Sequence, residues 1–201
     1  MKKIKGLFVL SLLVLIVTGC SVFTIKNKKI EYLSGKHYVE MSIKKFGIIE
    51  LELDADIAPI TVTNFINLVR NNFYDNNKII RVQKDFVIQA GIGTGAEETI
   101  KGEFLANGVD NTISHEKGVI SMARSGDQTS GYNTASTQFF IVTGDNAKLS
   151  LDNYYAAFGK VIKGMDIIDK INKTKFETAE MGFIANDDDM PIIEYIKEIE
   201  K

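Results

Sequence analysis

The chain has 201 residues, 25% of them charged, and a formal net charge of −2. That length fits one domain with a single core, and the balanced charge excludes both the basic footprint of a nucleic-acid-binding protein and an acidic tail. The lone cysteine, Cys20, excludes an internal disulfide and leaves no thiol for catalysis or zinc.

The chain opens on a cationic stretch, Met1-Lys2-Lys3-Ile4-Lys5, followed by an apolar run from Leu7 to Val17. The run is short of the roughly 20 residues a membrane-spanning helix needs, and it ends in Thr18-Gly19-Cys20. The stretch "VTGC" is similar to a bacterial lipobox, and the single cysteine falls at the position such a motif lipidates. A plain signal peptide or an uncleaved anchor is the alternative. Residues 1–19 are therefore expected to be a lipoprotein signal peptide, and residues 20–36 a lipidated cysteine and polar, basic linker. Residues 37–201 are expected to form the folded domain, held in the bacterial cell envelope on the extracytoplasmic side of a membrane.

From His37 the pattern has period two. Val39, Met41 and Ile43, then Ile49, Leu51 and Leu53, alternate with polar residues on either side of Lys44-Lys45-Phe46-Gly47, which predicts a hairpin. Helical spacing follows in Val62, Phe65, Ile66 and Val69, opened by Ala58-Pro59, with Thr61 or Thr63 as a candidate cap and Asn71-Asn72 as the stop. Short strands are predicted at 79–82, 86–91, 118–123, 138–143, 157–161 and 192–199, and a second helix at 165–171. In the strand at 86–91, Phe86, Ile88 and Ala90 are assigned to one face and Val87 and Gln89 to the other. Many short antiparallel strands with two helices indicate a closed barrel or sandwich rather than βαβ units.

Two loops invite stronger readings. The glycines of "GIGTG" at 91–95 resemble a phosphate cradle, but no helix pattern and no Lys-Ser/Thr follows, so they read as tight turns leaving a strand. Asp187-Asp188-Asp189 lacks the spacing of a calcium loop and reads as a solvated turn before the last strand. His37 is assigned to the first strand's edge and His115, in "SHEKGV", to a turn or the surface.

Five segments in order resemble the cyclophilin-type peptidyl-prolyl cis–trans isomerases: "APITVTNFINL" (58–68), "IIRVQKDFVIQAG" (79–91), "GVISMARS" (118–125), "STQFFIVT" (136–143) and "LDNYYAAFGKVIKGMDIIDKI" (151–171). The resemblance spans about residues 38–200 and implies a mainly β fold, a closed eight-stranded antiparallel β-barrel capped by two α-helices. It implies Arg81 as the catalytic arginine with Gln89 beside it. Phe86, Val87, Phe140 and Leu151 become the seat of the proline ring, and Ala123 and Arg124 line the peptide groove. Gln138 becomes a supporting residue of the same substrate site, and Tyr155 takes a place where many relatives have histidine.

The physics of the reaction suits that assignment. Amide resonance sets a rotation barrier of about 18–20 kcal/mol, so uncatalysed exchange at X–Pro takes tens to hundreds of seconds. At the twisted transition state the prolyl nitrogen regains a basic lone pair, to which a guanidinium can donate a hydrogen bond that the planar amide accepts poorly. No cofactor, metal or covalent intermediate is required. Read without the neighbouring motifs, Arg81 is more simply an edge-strand arginine pairing with Asp85 or a helix acid, and Gln89 a partner for a barrel amide. Phe139 and Phe140 are adjacent and so face opposite ways on a strand; the resemblance gives Phe140 to the groove.

Besides Tyr155, two departures from the family pattern stand out: Val87 where methionine is common, and Ser150 where many have tryptophan. The tryptophan helps hold cyclosporin, so weak cyclosporin binding is expected. The partners expected are proline-containing unfolded or extended polypeptides, the membrane through Cys20, and no nucleic acid, with the protein a monomer. A peptide-binding chaperone or surface interaction protein with little catalysis is the alternative. A solute-binding lipoprotein would need two large domains, for which the chain is too short.

Overall fold

The computed structural model describes residues 31–94, 98–126 and 131–201. The leader, the lipobox with Cys20 and the first part of the linker therefore lie outside the described residues, as does Gly95 of the glycine loop.

Eight strands form the sheet: β1 (Lys36–Ile43), β2 (Gly47–Asp54), β3 (Asn77–Gln83), β4 (Val87–Ala90), β5 (Val119–Met122), β6 (Phe139–Val142), β7 (Ala157–Lys163) and β8 (Ile192–Glu198). They pair antiparallel and close into a barrel in the order β1-β2-β7-β5-β6-β4-β3-β8. The helices are α1 (Pro59–Arg70), α2 (Lys148–Leu151) and α3 (Met165–Lys173). The two long ones match the expected pair; α2 is a single turn without enough residues to show a helical period.

The alternation read from the sequence becomes an inside and an outside. On β2, Ile49, Leu51 and Leu53 are fully buried, while Glu50 lies outward and pairs with Lys163 at 2.8 Å and Lys201 at 2.6 Å. At one mouth of the barrel, α1 packs on β2 and β8, and Arg70 holds Glu198 through two hydrogen bonds of 2.7 and 2.9 Å. At the other, α3 packs on β2 and β3, with Ile167 against the β1–β2 turn at Gly47. Phe65, Tyr74, Phe139 and Phe158 meet ring to ring at 5.1–5.5 Å between α1 and the barrel.

The cap of α1 differs from expectation. Ala58 is the N-cap and offers no side-chain bond; neither Thr61 nor Thr63 serves. Instead the carboxylate of Glu103, 2% exposed, accepts from the amides of Ile60 (3.0 Å) and Thr61 (2.8 Å) and from the Thr61 hydroxyl (2.7 Å). A negative charge satisfies the free N–H groups at a helix start as well as a local cap would. Thr63 is engaged elsewhere, accepting from the Leu33 amide at 2.8 Å.

Gly91, at φ +94°, takes the chain out of β4, and a Cβ there would meet the Thr137 carbonyl oxygen at 2.6 Å. Asp187–Asp189 form an exposed turn before β8, as expected, ordered by Asn186, whose side chain accepts from the Asp188 amide at 3.1 Å.

A groove on the outer face of the barrel

The site is built on a row that runs across four strands. Arg81 on β3 pairs with Gln89 on β4, Gln89 with Phe140 on β6, and Phe140 with Ser121 on β5. Directly paired residues point to the same face of a sheet, here the outer one, because the intervening Ile88, Ile120, Phe139 and Ile141 fill the interior. Arg81 reaches this face through an irregularity. Strict alternation from the interior residue Ile79 would send Arg81 inward, but the β3–β4 register shifts between Ile79 and Arg81. The bulge re-aims the side chain and leaves Val82 to fill the interior instead.

Outside the barrel lies a second apolar cluster, comprising Val87, Val119, Phe140, Val142, Ala147, Leu151 and Ala157. It is incompletely covered, leaving a groove of about 530 Å³. Phe86, Val87, Phe140 and Leu151 form its apolar floor, with Ala123, Arg124 and Tyr155 beyond them and Arg81 with Gln89 along one side. Phe86 is the exception to its expected face: it lies in the turn before β4, where Asp85 has φ 55°, and its ring packs with Val87 rather than with Ile88 and Ala90.

Arg81 is half-buried and held at three nitrogens. Nε donates to the Met181 carbonyl at 2.7 Å, one terminal nitrogen to Gln89 Oε1 at 3.2 Å and the other to Gln83 Oε1. The rings of Phe86 and Phe183 lie 5.8 and 5.6 Å from its guanidinium carbon. Among the described residues no carboxylate ion-pairs with it, and Asp85 instead meets Asn172 at 3.5 Å, so the pairing with Asp85 or a helix acid is not formed. Burial lowers the Arg81 pKa, partly offset by the nearby Tyr155 phenol, and the group remains cationic. With three of its five N–H groups engaged, two have no partner among the described residues and are open to a ligand.

Gln138 does not line the groove. Its Oε1 accepts from Gln89 Nε2 at 2.9 Å, fixing the amide so that Gln89 Oε1 faces Arg81, and its carbonyl accepts from the Ala123 amide at 2.9 Å. It is a supporting residue, not a contact surface. At the far end, Arg124 donates from Nε to the Tyr154 carbonyl (2.8 Å) and from a terminal nitrogen to the Ser125 carbonyl (2.9 Å), and its guanidinium lies against Phe104, Tyr132 and Tyr155 at 5.5, 5.2 and 4.8 Å.

Three features were not legible beforehand. Met181 and Phe183, from a stretch without hydrophobic period, form the wall behind Arg81. Gly182 lets them approach, since a Cβ there would meet Gln83 Cα at 2.8 Å. Ser150, noted only as a departure from a family pattern, lies on the rim. The third is His115, which is neither a turn nor a surface residue but only 1% exposed. Its ring stacks on Phe140 (centroids 6.1 Å, 23° between planes), Nδ1 lies 2.8 Å from Asp152 Oδ1 and Nε2 lies 3.0 Å from the Ser121 hydroxyl. Burial lowers its pKa, against the pull of Asp152. Because an ionised carboxylate only accepts, a neutral ring here donates from Nδ1 to Asp152 and accepts at Nε2 from the Ser121 hydroxyl. Its sequence neighbours are polar, so only the tertiary setting reveals the burial.

The family model described as cyclophilin type peptidyl-prolyl cis–trans isomerase matches residues 38–194, and the chain belongs to that family of X–Pro isomerases. Among its relatives, the peptidyl-prolyl cis–trans isomerase of Acinetobacter baylyi is 40% identical over 147 residues, 71% of this chain and 76% of that protein. Peptidyl-prolyl cis–trans isomerase A of Dickeya dadantii is 38% identical over 151 residues, 73% of this chain and 76% of that one. A crystal structure of a Cryptosporidium parvum cyclophilin shares the fold at TM-score 0.68 and 23% identity, over 83% of this chain and 99% of its own.

Proposed function

We propose that this isomerase turns X–Pro bonds of polypeptides outside the cytoplasm, with Arg81 as the group that favours the twisted amide and Gln89 as its orienting partner. The observation that carries the proposal is the cation held at three nitrogens beside an apolar floor. A proline ring seated on Phe86, Val87, Phe140 and Leu151 places its nitrogen alongside Arg81. As the preceding carbonyl swings out of plane, the nitrogen lone pair becomes an acceptor for one of the two free N–H groups. Because the guanidinium is already oriented, this hydrogen bond costs little rearrangement and is gained mainly at the transition state. The apolar floor holds the ring still while the rest of the chain turns. Ala123, Arg124 and Tyr155 extend the surface for the flanking peptide.

The test is catalysis of a short proline peptide by the full-length protein and by Arg81→Ala. A loss of about ten- to more than a hundredfold in kcat/KM is expected, the worth of one charged hydrogen bond of about 1.5–3 kcal/mol. Equal rates would remove the mechanism, and no activity in either protein would favour the peptide-binding chaperone.

The extracytoplasmic setting rests on the leader: residues 1–19 as a signal peptide, Cys20 as the lipidated residue, residues 20–36 as linker and 37–201 as a monomeric domain tethered to the membrane by acyl chains. Incorporation of labelled palmitate that is lost in Cys20→Ala, with release from the membrane fraction, is the expected outcome. Labelling that survives the substitution would contradict it.

A further inference from the structure

We infer that Arg124 makes the groove selective for clients carrying an acidic side chain a few residues from the proline. The inference rests on the substrate-groove reading above and deepens it. The chain has three arginines among its 24 basic residues. Arg70 is neutralised by Glu198 on the far side of α1. The other two, Arg81 and Arg124, both line the groove, and among the described residues no carboxylate lines it with them. Asp152, next in sequence to the groove residue Leu151, is already engaged: it accepts from the Ser114 hydroxyl at 2.7 Å and the His115 amide at 2.7 Å, and meets the His115 ring at 2.8 Å. The protein as a whole is slightly acidic, yet among the described residues the only charged groups on the walls of this concavity are positive.

Arg124 differs from a surface cation in being fixed. Two backbone carbonyls and three aromatic rings hold its guanidinium. Rings and carbonyls orient a cation without cancelling its charge, and among the described residues three of its N–H groups have no partner. A planar, pre-oriented guanidinium is matched to a carboxylate, which it can bind with two parallel hydrogen bonds and little loss of side-chain entropy. The row from Arg81 through Gln89 and Phe140 to Ser121 crosses three strand intervals, or about 14 Å at about 4.7–4.9 Å each. That distance equals about four extended residues. Arg124 follows Ser121 by three residues and lines the same groove as Arg81, so with the proline beside Arg81 the acidic residue belongs a few positions away, on the flank that runs toward Arg124.

The experiment walks a single Glu, and in a parallel series a Gln, from four residues before to four residues after the proline of an alanine-rich peptide. kcat/KM is measured with the full-length protein in nonionic detergent. On one flank only, Glu is expected to exceed Gln about two- to fivefold, the range for a partly exposed ion pair. The advantage should shrink toward unity in about 0.5 M salt. The ratio of Glu to Gln within each variant cancels any general loss of activity: it should fall to unity in Arg124→Gln and persist in part in Arg124→Lys. A ratio of one at every position in the wild type, with the Gln series still turned over in an Arg81-dependent way, overturns this inference alone. A preference that survives in Arg124→Gln also overturns it. A Gln series turned over equally by Arg81→Ala overturns the underlying mechanism, and this inference with it.

Discussion

The inside and the outer face of this barrel both carry apolar clusters, but they are finished differently. Inside, Met41, Ile43, Ile88 and Phe139 close around a void of about 10 Å³, no more than the smallest space a water needs. Outside, Val87, Phe140, Val142 and Leu151 form a cluster that the chain leaves open to about 530 Å³ and edges with Arg81, Gln89 and Arg124. A closed cluster contributes stability. An unclosed one with oriented cations can be completed by a ligand's apolar ring, and that distinction separates the scaffold from the site.

The comparison can be broken by substitution. Phe158→Ala, wholly inside, is expected to cost about 3–5 kcal/mol, read as a lower urea midpoint; a loss under about 1 kcal/mol would contradict a sealed interior. Phe140→Ala should cost no more than about 3 kcal/mol, because the neighbouring groove lets its surroundings relax. It should also lower kcat/KM of the folded protein more than Phe158→Ala does. Gln89→Leu removes one hydrogen bond that orients Arg81 and leaves Gln138 without its partner. A two- to tenfold drop in kcat/KM is expected, and an unchanged rate would show that Arg81 orients itself.

The smallest effect concerns pH. The folded state holds the His115 pKa below its ordinary 6.5, so the unfolded chain binds a proton that the folded one refuses. Stability should be full above about pH 6.5 and decline as pH falls below it. Asp152 adds in the same sense at more acid pH: burial opposes its ionisation, but hydrogen bonds from the His115 amide, Ser114 and the His115 ring prevail and keep its pKa below 3.8. In His115→Gln the first part of the decline should vanish; an identical pH profile would place the proton elsewhere.

Much of this was legible in the sequence because alternation and segment order are local signals. Ile49, Leu51 and Leu53 declared an inner face, and the five motif segments named most of the groove's residues before any strand was paired. What was hidden depends on tertiary geometry. The bulge that turns Arg81 outward leaves no mark on a period-two pattern. His115 sits among polar neighbours in the chain and is buried by tertiary contacts, with Phe140, Asp152 and Ser121 around its ring. Met181 and Phe183 are some 100 residues beyond Arg81 and reach it through the β-bridge between Arg81 and Phe183. Glu103 caps a helix that starts more than 40 residues earlier. Ser150 was visible as a departure, and its place on the rim supports one further expectation: Ser150→Trp should tighten cyclosporin binding relative to the wild type.

The central claim is that Arg81 favours a prolyl amide midway through its rotation. Its most direct test is the rate of cis–trans exchange in one proline peptide, followed by NMR line-shape with wild type, Arg81→Lys and Arg81→Ala, alongside the affinity of each for the same peptide. The account predicts that on-enzyme exchange slows at least tenfold in Arg81→Ala while peptide affinity changes far less. An exchange rate that holds while affinity collapses would make Arg81 a binding group and contradict the claim.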